Sequence, residues 1–312
     1  MNKRAKTSSA KLKNLIFDIK RDANLYLLLL FPMLYYFVFK YIPMYGVTIA
    51  FKDYNMFQGI LQSPWVGLDV FKEIWNMPEF YRSVGNTLVL NMLDLIFSFP
   101  APIILAILLN EVRISWFKRT AQTIFYLPYF LSWVIIGGIA YQIFSPVTGL
   151  FNIALKTVGL PAIPFLTKKV NWLLSYLGIG IWQSAGWGTI IYLAAIAGIN
   201  HELYEAAQVD GAGRLRQIWH ITLPGIKPTI IILLILNLGR IMMSSFDRPY
   251  VIGNAYVSEI SDVISTFVYR VGIKSVRYSL ATAVGLFQSL VGMILLLISN
   301  YIANKSGEQG IW

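Results

Sequence analysis

Six long apolar segments, separated by polar connections, alternate along this 312-residue chain. Each is close to the roughly 20 residues that a helix needs to cross the hydrocarbon core of a bilayer. The pattern predicts spans at Leu25–Phe39, Thr87–Leu109, Thr120–Phe144, Trp172–Ile196, Thr229–Phe246 and Ala281–Ile302. Because a helix satisfies its own backbone hydrogen bonds inside the bilayer, we expect an all-α membrane protein with about six transmembrane helices.

The composition agrees with a helical membrane bundle. Hydrophobic residues make up 56% of the chain and charged residues 13%, which is about half the charged share of soluble domains. No connection is long enough to form a second, soluble domain with its own core. The lack of cysteine excludes a disulfide framework, thiolate metal ligands and a cysteine nucleophile.

Basic residues cluster before the first span, in a tail of residues 1–24. They are Lys3, Arg4, Lys6, Lys11, Lys13, Lys20 and Arg21. Since basic residues are retained on the cytoplasmic side of a membrane, the tail predicts a cytoplasmic N-terminus, followed by a transmembrane region of residues 25–312. The same rule explains the net charge of +11 without nucleic acid. A cleavable signal peptide is the alternative, but no small-residue cleavage site follows the first apolar run.

Motifs for catalysis and for nucleotide binding are missing from the sequence. His201-Glu202 begins like a zinc-protease helix, but the second histidine that would place two ligands on one helical face is absent. There is no G-x-S-x-G nucleophile elbow and no Gly-rich loop ending in Lys-Ser or Lys-Thr. We therefore expect no enzyme activity, no metal and no cofactor in this chain. If ATP drives it, ATP and Mg²⁺ are bound by partner subunits.

One polar segment, between the fourth and fifth spans, has the pattern of a helix–turn–helix. Leu203, Tyr204 and Ala207 share one helical face, and Gly211 supplies the positive φ that a sharp reversal often requires. A second helix follows, and Leu223-Pro224 is expected to end it. A rigid polar element of this kind indicates a docking surface for a soluble partner. An ordinary cytoplasmic connector is the alternative.

This segment resembles the EAA loop of the inner-membrane permeases of binding-protein-dependent ABC importers. The resemblance is carried by Glu205-Ala206-Ala207, Gly211 and Ile221 with Leu223-Pro224. It implies the type I importer permease fold, in which residues 202–226 form a coupling-helix pair that sits in a cleft of a cytoplasmic ATPase. The residues it implies for coupling are Glu205, Ala206, Ala207, Asp210, Gly211, Leu215, Ile221, Leu223 and Pro224.

Other segments resemble the polysaccharide and lipo-oligosaccharide branch of the same family. Among them are Phe99-Pro100-Ala101-Pro102, Tyr126-Leu127-Pro128-Tyr129-Phe130 and the terminal Gly310-Ile311-Trp312. This implies a bacterial inner-membrane protein, surrounded by lipid, that imports a complex oligosaccharide. It also implies a second homologous permease, two ATPase subunits and an extracellular lipid-anchored solute-binding protein. Arg248 departs from the family pattern, where a glutamine or a similar polar residue is expected, and this leaves the cargo open.

Charged residues inside the spans are the first candidates for a cargo pathway, since such charges are costly unless they are paired or functional. Asp94 and Arg240 are predicted either to pair with each other or to face a translocation cavity, and a purely structural ion pair is the alternative. Asn237, Arg240 and Ser244 are predicted to form one polar stripe on the fifth span.

Further pathway candidates are polar and aromatic side chains suited to sugar hydroxyls and sugar C–H faces. They are Tyr141, Gln142, Trp182, Gln183, Trp187, Ser245, Asp247 and Arg248. Helix packing is the alternative for the tryptophans. Arg240 and Arg248 could also bind carboxylates bidentately, which extends the expected cargo to uronate-containing sugars. The competing functions are a self-sufficient secondary transporter or channel, an intramembrane enzyme and half of an ABC exporter.

Overall fold

The computed structural model describes residues 21–243 and 245–305. Most of the predicted basic tail, Ser244 and the terminal Gly310-Ile311-Trp312 lie outside the described residues. Within these two ranges the chain forms helices, and its extended backbone pairs only in an isolated bridge between Lys52 and Trp65.

The main helices differ widely in length. In chain order they are α1 (Ala23–Phe51), α2 (Asp69–Trp75), α3 (Pro78–Glu111), α4 (Ser115–Phe130), α5 (Trp133–Phe144), α6 (Leu150–Thr157), α7 (Lys169–Ala197), α8 (Glu202–Val209), α9 (Arg214–Gly239), α10 (Asp247–Ile252), α11 (Ile264–Val268) and α12 (Tyr278–Lys305). Of these, α1, α3, α7, α9 and α12 are each long and apolar enough to cross a membrane. A sixth span is formed if α4 and α5 cross together, so the prediction of about six spans is confirmed.

The predicted third span, Thr120–Phe144, is broken into two helices in the structure. α4 and α5 meet at an angle of 103°. α4 ends in a 3₁₀ turn that contains Pro128, whose ring prevents a regular helical hydrogen bond, and Leu131 then adopts an extended conformation. Ser132 caps α5, its hydroxyl accepting a hydrogen bond from the backbone N–H of Ile135 at 3.4 Å.

Two other predicted spans have different ends in the structure. α1 continues twelve residues past Phe39 because Pro43 lies in the first turn of a 3₁₀ segment, where its missing N–H breaks no bond. The fifth span, predicted at Thr229–Phe246, is α9, which begins at Arg214 and ends at Gly239. Arg240 leaves the helical conformation with φ −100° and ψ 6°. The prediction that Asn237 and Arg240 share a helical stripe is therefore wrong, and Ser244, its third member, lies outside the described residues.

α7 is the central helix of the bundle. It packs against α3, α4 and α9, and it buries Trp172 and Tyr192 almost completely. The indole N–H of Trp172 donates to the carbonyl of Ile252 at 3.0 Å, which fixes α10 to the start of α7. By contrast, none of the residues Ala23–Tyr36 in α1 is buried. This first part of α1 therefore stands apart from the bundle, whereas Ile42–Phe51 packs against α12 and buries Ala50.

Candidate functional site

Residues 202–226, here called the coupling segment, form the predicted helix–turn–helix. α8 ends at Val209, and the chain reverses at Gly211, which has φ 74°. The turn is closed by two hydrogen bonds, one from the Ala212 backbone N–H to the Ala207 carbonyl at 2.8 Å and one from the Gln217 amide to the Ala212 carbonyl at 2.9 Å. Glu205 lies in the first turn of α8, where its negative charge interacts favourably with the positive end of the helix dipole.

The second helix of the coupling segment does not end at Leu223-Pro224 as predicted. It runs without a break from Arg214 to Gly239 and becomes the span α9. A π-helical turn at Ile218–Thr222 precedes the proline, and the Leu223 backbone N–H donates to the carbonyl of Ile218. Because the wider turn shifts the bonding register, Pro224 fits in the first turn of the following α-helix. The coupling segment and α9 are one continuous helix.

α8 is also attached to this helix through side chains. The hydroxyls of Tyr204 and Thr222 are 2.9 Å apart and hydrogen-bonded, and Thr222 is buried. Of the residues implied for coupling, three are half-buried and the rest are exposed. Ala207, Ile221 and Leu223 are half-buried, and Glu205, Ala206, Asp210, Gly211, Leu215 and Pro224 are exposed. The segment thus offers a surface that is anchored on one side and open on the other.

The connection between α3 and α4 lies beside the coupling segment. A groove of about 690 Å³ separates them and is lined by Glu111, Arg113, Tyr204 and Gln208, among others. Across it, the Arg214 guanidinium is 3.8 Å from the Glu111 carboxylate. The ends of α3 and α7 and the start of α9 therefore share one end of the bundle, here called the coupling end.

The opposite end of the bundle, here called the far end, is held by ion pairs. Arg270 contacts Glu79, at the start of α3, at 2.8 Å and Asp262 at 2.7 Å. Lys169, at the start of α7, forms an ion pair with Glu259 that keeps the pKa of this carboxyl below its usual value. These pairs fasten the segment between α10 and α12 to the ends of α3 and α7 that lie away from the coupling segment.

A cavity of about 510 Å³ opens between α3, α7 and α9. Six of the predicted pathway residues line it: Asp94, Trp187, Asn237, Arg240, Ser245 and Arg248. Asp94 lies near the midpoint of α3, about 25 Å from either end of that helix. The cavity therefore lies deep in the bundle, between the coupling end and the far end.

Asp94 pairs with Arg248, and the predicted pair of Asp94 with Arg240 is wrong. The Arg248 guanidinium donates to the Asp94 carboxylate at 2.8 Å, and the Ser98 hydroxyl donates to the other carboxylate oxygen at 2.8 Å. In the sequence, Arg248 follows the predicted fifth span, Thr229–Phe246. The structure brings it inward because α9 ends early and α10 folds back against α7.

Arg248 occupies a narrow slot on α7. Its second terminal nitrogen donates to the Tyr176 carbonyl at 2.5 Å, and its guanidinium lies 3.6 Å from the centre of the Tyr176 ring. Its side chain is 9% exposed. A Cβ at Gly180 would come within 2.3 Å of the guanidinium carbon, so the slot depends on glycine at that position.

The other predicted pathway residues that the structure describes lie outside the cavity. The Tyr141 hydroxyl donates to the Gly253 carbonyl at 3.3 Å, and the Gln183 amide donates to the Tyr129 carbonyl at 3.5 Å. Gln142, Trp182 and Asp247 are exposed.

Several residues that line the cavity were not predicted from the sequence, among them Asn91 and Tyr129. Asn91 donates to the Ile241 carbonyl at 2.6 Å and lines the cavity. Asn91 lies one helical turn before Asp94, on the same face of α3, and this spacing could have indicated that it lines the cavity. Tyr129 stacks on Trp187 with ring centres 4.7 Å apart and an interplanar angle of 4°. Nothing in the sequence indicated this stack, because it depends on the bend between α4 and α5.

The model of the binding-protein-dependent transport system inner membrane component family matches residues 98–306. The chain belongs to this family. This permease is 47% identical to Protein LplB of Bacillus subtilis over 94% of its length and 92% of that protein. It is 45% identical to the polygalacturonan/rhamnogalacturonan transport system permease protein YteP of the same organism, over 97% of its length and 94% of that protein.

Solved structures show the same fold. The permease superposes with a TM-score of 0.86 on a chain of a bacterial ABC transporter involved in the import of the acidic polysaccharide alginate. The two chains are 41% identical, and the match covers 94% of the permease and 99% of the other chain. A second structure shows bacterial alginate ABC transporter with an alginate pentasaccharide-bound periplasmic protein, at 40% identity. The permease is thus a multi-pass transport subunit with the type I importer fold.

Proposed function

We propose that this permease forms the membrane pathway of an ATP-driven importer for complex oligosaccharides, which an extracellular solute-binding protein delivers. The observation that carries the proposal is the coupling segment, an exposed helix pair continuous with a span that lines a deep cavity. The names of its relatives supply the cargo class, since YteP transports polygalacturonan or rhamnogalacturonan and the solved transporter imports alginate.

Energy enters through the coupling segment in this proposal. Two cytoplasmic ATPase subunits bind ATP and Mg²⁺, and each permease docks its coupling segment on one of them. Because α9 continues from that segment without a break, a displacement of the docked end is transmitted to Asn237 and the residue that follows the helix, Arg240. The cavity and the ATPase therefore both act on the position of one helix, α9. Coupling between two sites requires such a shared element.

Orientation and partners follow from the two ends of the bundle. The coupling end faces the cytoplasm, together with the basic tail of residues 1–24, in the inner membrane of a bacterium. The far end faces outward and receives the binding protein. The first part of α1, Ala23–Tyr36, has no buried residue, and it packs on membrane lipid and on a second homologous permease.

Cross-linking tests the docking of the ATPase, and it is simple because the chain has no cysteine. We expect a cysteine introduced at Val209 or Leu215, which are 88% and 83% exposed at the coupling end, to cross-link to the ATPase subunit. The matched control is Val147→Cys, 73% exposed in the connection between α5 and α6. Mass spectrometry of the cross-linked importer identifies the partner. Equal yields from Val147 and the coupling-end positions would contradict the proposed docking.

A further inference from the structure

We infer that Arg240 recognises a carboxylate of the sugar cargo, so that the permease prefers oligosaccharides with uronate groups to neutral ones. This inference rests on the proposed function, because it assigns a cargo class to the same cavity. It follows from the charges that line the cavity, which are those of Asp94, Arg240 and Arg248.

The guanidinium of Arg248 is already bound by other groups of the protein. Its guanidinium is bound to the Asp94 carboxylate and to the Tyr176 carbonyl, and it lies against the Tyr176 ring. The pair is electrically neutral, and the side chain of Arg248 is almost fully covered. Neither member therefore provides a charge that a ligand could bind without first breaking the pair.

Arg240 differs from Arg248 in its exposure and in the contacts of its guanidinium. It is exposed to the cavity, at the first position after α9. Its backbone is fixed by hydrogen bonds, with its N–H donating to Asn237 at 3.1 Å and its carbonyl accepting from Met243 at 2.7 Å. Among the residues that the structure describes, none forms an ion pair or a side-chain hydrogen bond with its guanidinium. The described cavity wall thus has one net positive charge.

The depth of the Arg240 charge in the bundle indicates that this residue serves the cargo pathway. The α-helical part of α9, Leu223–Gly239, is about 25 Å long, so Arg240 lies well beyond the coupling end and inside the bundle. An uncompensated arginine at such a depth is costly and is characteristic of a substrate or ion pathway. A planar guanidinium fits a carboxylate through two parallel hydrogen bonds.

The neighbouring groups suit the rest of a sugar. Trp187 remains 41% exposed although it stacks on Tyr129, and it provides an aromatic face for sugar C–H groups. Ser184 and Asn237 line the same cavity, and although each donates to a carbonyl of its own helix, their side-chain oxygens can accept from sugar hydroxyls. An uronate residue presents one carboxylate, several hydroxyls and an apolar face, which these groups match.

Direct binding to the assembled importer, without the binding protein, tests this inference. The probes are trigalacturonate and its fully methyl-esterified form, which has the same sugars without charge. We expect the wild type to bind the acid at least about ten-fold more tightly than the ester. Arg240→Gln should abolish this preference by weakening only the acid, and Arg240→Lys should retain part of it. Lys156→Gln, which removes an exposed charge on α6, is the matched control and should change neither affinity.

The inference is overturned if the wild type binds acid and ester equally or binds neither, or if Arg240→Gln weakens both probes alike or leaves both unchanged. It is also overturned if Arg240→Gln separates the two permeases, since Arg240 would then pair with a carboxylate of the partner. The proposed function has a separate readout, the stimulation of ATP hydrolysis by loaded binding protein. Loss of that stimulation in the wild type would contradict the proposed function itself.

Discussion

Replacing Arg248 with methionine is expected to destabilise the permease by about 3–5 kcal/mol, the usual cost of removing one partner from a buried ion pair. The Asp94 carboxylate would keep the Ser98 hydroxyl but lose its countercharge in the middle of α3. Asp94→Leu should cost a similar amount, because it leaves the Arg248 guanidinium buried without a carboxylate. Thermal unfolding of the purified importer measures both effects.

A double-mutant cycle separates this ion pair from general damage to the core. Asp94→Leu combined with Arg248→Met should be more stable than either single variant, since no unpaired charge remains. Additive losses would show that the two residues act independently. Gly180→Ala should mimic the loss of the pair, because the new Cβ meets the guanidinium at 2.3 Å. Gly178→Ala is its control on the same helix, where a Cβ meets no atom within 4 Å.

Changing Gly211 to valine is expected to leave insertion and assembly intact while uptake falls about ten-fold or more and ATP hydrolysis continues. A Cβ at Gly211 meets no atom within 4 Å, so the effect would not come from a clash. It would come from φ 74°, a conformation that costs a β-branched residue about 1–3 kcal/mol. The turn would relax, and the two helices of the coupling segment would no longer move together. Uptake and ATP hydrolysis are measured on the same proteoliposomes.

Gly213 provides the matched control in the same turn. It has φ −69° and ψ 165°, which any residue adopts, and it is also free of contacts at the Cβ position. Gly213→Val should therefore transport normally. Gly211→Asn should lose little, since asparagine tolerates positive φ. Normal uptake by Gly211→Val would contradict the view that the coupling segment acts as a rigid lever.

The apolar pattern was sufficient to predict the spans, because a bilayer imposes the same length on every helix that crosses it. It could not predict where a helix bends or stops. Pro128 ends α4 and separates it from α5, whereas Pro224 is accommodated in a continuous helix behind a π-helical turn. The same residue type has opposite consequences in the two places, and only the local hydrogen-bonding register distinguishes them.

The coupling segment was easier to predict than the cavity. Its residues are contiguous in sequence, so spacing alone placed the turn at Gly211. The cavity residues come from helices distant in sequence, and the partner of Asp94 lies 154 positions away. From the sequence, Arg240 was the predicted partner, because it lay inside a predicted span and Arg248 did not. The early end of α9, which no polar signal marked, determined that Arg248 fills the slot and Arg240 faces the cavity.

Uptake of labelled oligosaccharide into proteoliposomes that contain the complete importer tests whether the permease is driven by ATP and supplied by the binding protein. We expect uptake only when loaded binding protein is present at the far end and ATP at the coupling end. Uptake by the permease without ATPase subunits, driven by an ion gradient, would contradict this expectation.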